Sequence, residues 1–244
     1  TGDKIPAVAI STNDAEKLSK SLLTSPNLLV NIKVEAEDIV TNTYNLIADL
    51  KGSEHPEEYI VVGGHLDAWH NTQGAQDDGI GCLQSTEVLR NFKTLGINNK
   101  RTIRVILYMD EELYQSGGKA YAAYTKENNI KHYFAMESDA GGFTPRGFTV
   151  GATEQVLNNI QDYKKYLQPY GIDFINPGGG GVDIGPLKEF GVPLSGFRSD
   201  MQRYFDFHHN KQDTFENVNF REMQLGSAAM TSLIYFIDQF DLAN

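Results

Sequence analysis

The chain has 244 residues, enough for one large domain or two small ones. With 40% hydrophobic and 22% charged residues it reads as a globular chain, and no apolar run is long enough to span a bilayer. Lys and Arg total 21 against 32 Asp and Glu, a net charge of −11 that argues against nucleic acid or an anionic membrane as partner.

Apolar runs alternate with amphipathic stretches, which predicts an α/β layered fold. A strand is expected over residues 5–10, then a helix from near Asn13 with Glu16 as its capping-box partner. A second strand, 28–35, leads into the acidic segment 35–38. These first residues, 1–38, stand apart from the pattern that follows and read as an edge unit. From 39 to 244 the alternation is regular. Strands are predicted at 44–50 and 59–64, followed by a helix over 78–95 that Gly96 stops. A strand at 103–109, a helix at 119–127 and a strand at 133–137 come next. A helix over 154–167 ends before Pro169, and a strand is placed at 194–197. The last helix opens at Asn219, with Glu222 in its first turn, and runs to about residue 240; its apolar face is core packing. Cys82 is the single cysteine, so no disulfide forms within the chain, and its apolar helical setting makes it a small buried hydrophobe.

Polar residues stand where these apolar strands end. His65 closes Gly63-Gly64-His65-Leu66-Asp67, Asp110-Glu111-Glu112 follows the strand at 103–109, and Ser138-Asp139 follows the strand at 133–137. In open α/β sheets, sites form beyond the carboxyl ends of strands, so His, paired Glu and Asp converge there. Asp67 lies two residues after His65, placed to hydrogen-bond its second ring nitrogen and fix the tautomer. The pair Asp77-Asp78 adds carboxylates able to stand between two metals. Candidate ligands are His65, Asp77, Glu112, Asp139 and one further His, from the motif His208-His209-Asn210-Lys211-Gln212-Asp213-Thr214. Such a nitrogen and oxygen donor set suits zinc. Glu111-Glu112 offers both acidic roles of a two-metal hydrolase, one as ligand and one as base.

Gly63–Gly81, Asp110–Glu112, Met136–Gly142, Gly179–Ile184 and Phe207–Thr214 resemble, in order, the motifs of the co-catalytic zinc exopeptidase family. The likeness is greatest to a branch that carries a protease-associated insert domain; residues 1–38 resemble the end of that insert and 39–244 the catalytic domain. The resemblance implies a three-layer fold, with a mostly parallel mixed sheet flanked by helices. It implies two Zn2+ per chain, one held by His65, Asp77 and Asp139 and the other by Asp77, Glu112 and His209, with Asp77 bridging. Glu111 matches the general base that works on a metal-activated bridging water, and Asp67 the partner that orients His65. His208 and Asp183 are expected to contact substrate. Trp69 either walls the site or packs, and the Gly178–Gly181 run is expected to let backbone approach the substrate. The implied function is hydrolysis of dipeptides or terminal residues of short peptides. A peptide is then the partner, with a homodimer and an extracytoplasmic location among the family's habits. A non-catalytic receptor-like protein and a single-zinc glutaminyl cyclase are the alternatives on this scaffold. The filled ligand positions and the intact Asp77-Asp78 pair weigh against both.

Overall fold

The ends of the apolar runs set the architecture seen in a computed structural model, which describes residues 5–35, 37 and 39–242. Residues 1–4 and part of the acidic segment 35–38 lie outside the described residues. The chain divides into two units between Asn42 and Thr43. In the first unit, helix α1 (Thr12–Thr24) is capped by Ser11, whose hydroxyl accepts from Asp14 N, so the cap lies two residues before the expected start. The predicted strands at 5–10 and 28–35 are absent: these apolar runs find no partner strand, and an unpaired strand leaves its ladder groups unbonded.

The second unit is built on one seven-stranded sheet in the order β1-β3-β2-β4-β7-β5-β6. Its strands are β1 (Leu46–Leu50), β2 (His55–His65), β3 (Arg101–Tyr108), β4 (Lys131–Ser138), β5 (Pro145–Gly151), β6 (Phe174–Pro177) and β7 (Leu194–Ser199). β3, β2, β4 and β7 run parallel, while β1 and β5 pair antiparallel with β3 and β7, giving the expected mixed sheet. β5 and β6 escape the sequence pattern. Pro145, Gly147 and Gly151 read as turn residues, yet Gly147 is demanded by the approach of Phe174, whose carbonyl oxygen would lie 2.3 Å from a Cβ there.

Helices α2 (Ile80–Thr94) and α6 (Phe220–Gln239) cover one face. Val88 and Phe92 of α2 and Met230, Leu233, Ile234 and Ile237 of α6 pack on Ile60, Val62, Ile103, Val105, Phe134 and Met136. Strand alternation sends Val61, Ile106, Tyr108 and Ala135 to the other face. They meet Tyr121 and Ala122 of α3 (Ser116–Glu127), with Ile184 and Leu187. The helix predicted over 154–167 is broken into α4 (Glu154–Gln161) and α5 (Lys164–Leu167). Asn219 caps α6 as expected, accepting from Arg221 N and Glu222 N, but the Glu222 carboxylate turns away to Thr144 and Arg203. No described helix is long and apolar enough to cross a membrane.

At the edge, the Arg104 guanidinium takes both oxygens of Asp49, its register partner on β1, at 2.7 Å each. Arg104 also donates to Tyr121 Oη, which hydrogen-bonds His132 Nε2 at 2.8 Å. Burial, and then Arg104, lowers the His132 pKa from 6.5 to about 4. The unfolded chain therefore binds a proton below pH 6.5 that the folded one refuses until about pH 4. Stability from His132 is complete above 6.5 and is lost as pH falls through that window. At pH 5 the loss is about 2 kcal/mol, or roughly 5 °C in Tm. The Tm of His132→Gln should thus fall less than that of the native protein between pH 7 and 5, as read by thermal unfolding at both pH values.

Candidate metal centre

Because β3, β2 and β4 are adjacent and parallel, their carboxyl ends open on one edge of the sheet. β2 ends on His65 itself. After β3 the chain reverses at Asp110, whose φ of 66° lies in the left-handed region, and so presents Glu111 and Glu112. After β4 comes Asp139. Asp77 arrives from an irregular turn, Ala75–Gly79, and His208 and His209 from the loop that follows the short helical segment Met201–Asp206.

The pair Asp77-Asp78 divides its work. A cis peptide joins the two residues. Asp78 faces inward: its Oδ2 accepts from His65 N at 3.0 Å and its Oδ1 from Gly81 N at 3.1 Å, locking the end of β2 to the start of α2. This is why Gly64 precedes His65, since a Cβ there would sit 2.3 Å from Asp78 Oδ2. Asp77 faces the cluster with both oxygens. Its Oδ1 is 3.2 Å from His65 Nε2, and its Oδ2 is 3.2 Å from His209 Nε2 and 3.5 Å from His208 Nε2. Asp139 Oδ1 stands 3.6 Å from His65 Nε2, Glu112 Oε2 is 3.0 Å from His209 Nε2, and Glu111 Oε2 is 4.0 Å from His65 Nε2. The structure thus brings His65, Asp77, Glu111, Glu112, Asp139, His208 and His209 together.

Asp67 acts differently from the sequence expectation. The Nδ1–H of His65 donates to the backbone carbonyl of Asp67 at 2.9 Å, while the Asp67 carboxylate is 3.8 Å away. That carboxylate instead accepts from Glu111 N at 3.1 Å and Glu112 N at 3.3 Å, pinning the acidic pair. A carbonyl can only accept, so Nδ1 carries the hydrogen and the Nε2 lone pair faces Asp77 and Asp139.

A lone pair opposed to carboxylate oxygens is repulsive unless a cation or proton stands between them. Buried oxygens of Asp77 (Oδ2), Glu112 (Oε1) and Asp139 (Oδ1) have no hydrogen-bond partner. The titration behaviour shows the same crowding. Burial disfavours charge on His65, but Asp139, Asp77 and Asp78 prevail and raise its pKa. Burial, with the neighbouring Asp77, lifts Glu112 to about 7, and burial raises Glu111 with help from Asp139 and Asp77. Burial also lowers His209, as does His208 stacked 3.5 Å away. Grouped donor atoms of His65, Asp77 and Glu112, of His65, Asp78 and Asp139, and of Asp77, His208 and His209 each lie within 4.8 Å of one another. Carboxylate and imidazole donors at these separations fit divalent zinc.

Asp183 does not join these groups. It is 2% exposed, neither oxygen has a partner, and burial raises its pKa to about 8. The glycine run before it also has a packing reason. Glu137 accepts from Val182 N and Ile184 N, and a Cβ on Gly181 would lie 2.0 Å from Glu137 Oε1. Asp213 is the residue whose role the sequence reading missed. Fully buried, it accepts from Gln76 N at 2.5 Å and Asp77 N at 3.1 Å, tying the His209 loop to the Asp77 turn. Its place four residues after His209 is the only signal the sequence offers.

This fold and donor set are those of a metal-dependent hydrolase. The chain belongs to peptidase family M28, whose profile matches residues 45–234. It is 33% identical to mouse (Mus musculus) carboxypeptidase Q over 98% of this chain and 51% of that protein. It therefore spans about half the length of the curated relatives it matches. A solved structure, the peptidase M28 precursor of Shewanella amazonensis SB2B, superposes with a TM-score of 0.78 at 33% identity, covering 82% of this chain and 46% of that one. A zinc aminopeptidase of Bacillus subtilis shares the fold, with a TM-score of 0.62 at 21% identity over 78% of this chain and 49% of that one. The family resemblance carried by the sequence motifs is thus borne out.

Proposed function

We propose that the chain carries a binuclear zinc exopeptidase that hydrolyses dipeptides or terminal residues of short peptides. The supporting observation is Asp77, whose two oxygens face separate histidines, His65 and His209, at 3.2 Å each. His65, Asp77 and Asp139 would hold one ion, and Asp77, Glu112 and His209 the other. Zinc bound there supplies Lewis acidity, acidifying water and polarising a carbonyl. The chain's own residues do the rest. The Asp67 carbonyl sets the His65 tautomer, and the Asp67 carboxylate fixes Glu111 and Glu112 through their N–H groups. Glu111 stands outside the ligand sets with its Oε2 4.0 Å from His65 Nε2, so its carboxylate takes a proton from the attacking water and returns it to the leaving amine. His208 stacks on His209 and faces Asp77, within reach of a bound carbonyl.

The complete donor set speaks against a non-catalytic binding protein, and the two-sided Asp77 against a single-zinc cyclase. The reading of residues 1–38 as the end of a protease-associated insert is also a proposal. It is supported by apolar side chains left exposed there, Leu23 at 85% and Leu29 at 93%. A homodimeric, extracytoplasmic protein is proposed on family resemblance alone. The test is zinc analysis combined with cleavage of dipeptides blocked at one or other terminus. Two zinc per chain and hydrolysis that fails when one particular terminus is blocked are expected; one ion or none under zinc supply would sink the reading.

A further inference from the structure

Beside the candidate metal centre lies a cavity of ≈ 260 Å³. Ala68, Trp69, Met109 and Leu113 give it apolar walls. Its volume falls just under the ~300 Å³ lower end of small-molecule pockets, a size for one amino-acid side chain and not for a folded segment. It adjoins the centre at His209. Glu112, which lines it, is 3.0 Å from His209, and the Trp69 ring is 5.0 Å from the His209 ring.

The charge on the cavity is one-sided. Asp67, Asp110 and Glu112 line it, with the exposed loop residue His70, and no Lys or Arg is among the described lining residues. Asp67 and Asp110 are not among the proposed ligands, so the wall stays negative even with Glu112 engaged. A substrate carboxylate placed here would meet Asp67 and Asp110, with no Lys or Arg in the described lining to offset them. An aliphatic, thioether or aromatic side chain would bury apolar surface against Trp69, Met109 and Leu113.

We infer that this cavity is the side-chain subsite of the peptidase, accepting apolar residues next to the scissile bond and rejecting Asp and Glu. This rests on the exopeptidase reading, but its test is separable. Trp69 is the only tryptophan, so indole emission of the full chain under zinc supply, excited where the 12 tyrosines do not absorb, reports on this wall and the adjoining His209. Titration with L-leucine or L-methionine should give a saturable emission change, and L-glutamate none over the same range. In a dipeptide panel, kcat/KM should favour Leu or Met over Glu at one position by about tenfold or more. Leu113 is 67% exposed, and Leu113→Arg places a cation in the cavity without touching the core; it should lower the leucine-to-glutamate ratio in both readouts.

Hydrolysis without side-chain preference, a stronger response to glutamate in the native protein, or an unchanged ratio in Leu113→Arg would each overturn the subsite. A leucine-selective fluorescence response in a protein that hydrolyses no dipeptide would support the apolar subsite while removing the exopeptidase reading.

Discussion

Glu111→Gln is expected to keep its full zinc content and to lose about 10²–10⁴-fold in kcat. The reason lies in what the substitution leaves intact. The Glu111 backbone N–H still donates to Asp67, the side-chain volume is nearly unchanged, and no grouped set of donor atoms includes Glu111. What disappears is a carboxylate able to accept a proton. The measurement is zinc stoichiometry and kcat on the same preparation. If kcat stays within tenfold of the native protein, Glu111 is not the base. If zinc falls together with activity, Glu111 is a ligand, and the division of labour with Glu112 has to be reversed.

The parts legible in the sequence are those where one local rule decides the outcome. The apolar runs of β2, β3 and β4 are covered by helices on both faces, so they stand out, and their ends locate His65, Glu111-Glu112 and Asp139. Asn219 shows the start of α6 because capping is a local event. The same reasoning misplaced strands at 5–10 and 28–35, since an apolar run does not say whether a partner strand exists. It missed β5 because Gly147 answers to Phe174, a residue distant in sequence. At the centre, residue identity and spacing marked which side chains converge, but not which atom of each is used. Asp67 was expected to orient His65 with its carboxylate and does so with its carbonyl, leaving the carboxylate for Glu111 and Glu112. Asp183 has the chemistry of a substrate contact, and its burial, at 2% exposed, is likewise not written in the residue type.

Asp213→Ala should have the second large effect, and it would act without removing any proposed ligand. The carboxylate of Asp213 holds Gln76 N and Asp77 N, while its carbonyl oxygen accepts from Gln73 N at 3.3 Å and Thr72 Oγ1 at 2.9 Å. The turn that aims Asp77 at both histidines is therefore fastened by the loop that carries His209. Alanine keeps the backbone contacts and leaves the Gln76 and Asp77 N–H groups buried without acceptors, at about 1–3 kcal/mol each. Asp77 then loses its fixed aim, and zinc affinity should fall by about 10–100-fold, the usual cost of removing a group that orients ligands. Asp213→Asn retains one acceptor oxygen and should fall between the two. Competitive zinc titration against a chelator measures the affinity, and saturating zinc separates the causes. If Asp213 works by positioning Asp77, excess zinc restores most of kcat in the alanine variant. If affinity is unchanged in Asp213→Ala, the fastening is irrelevant to metal binding, and the aim of Asp77 is set within its own turn.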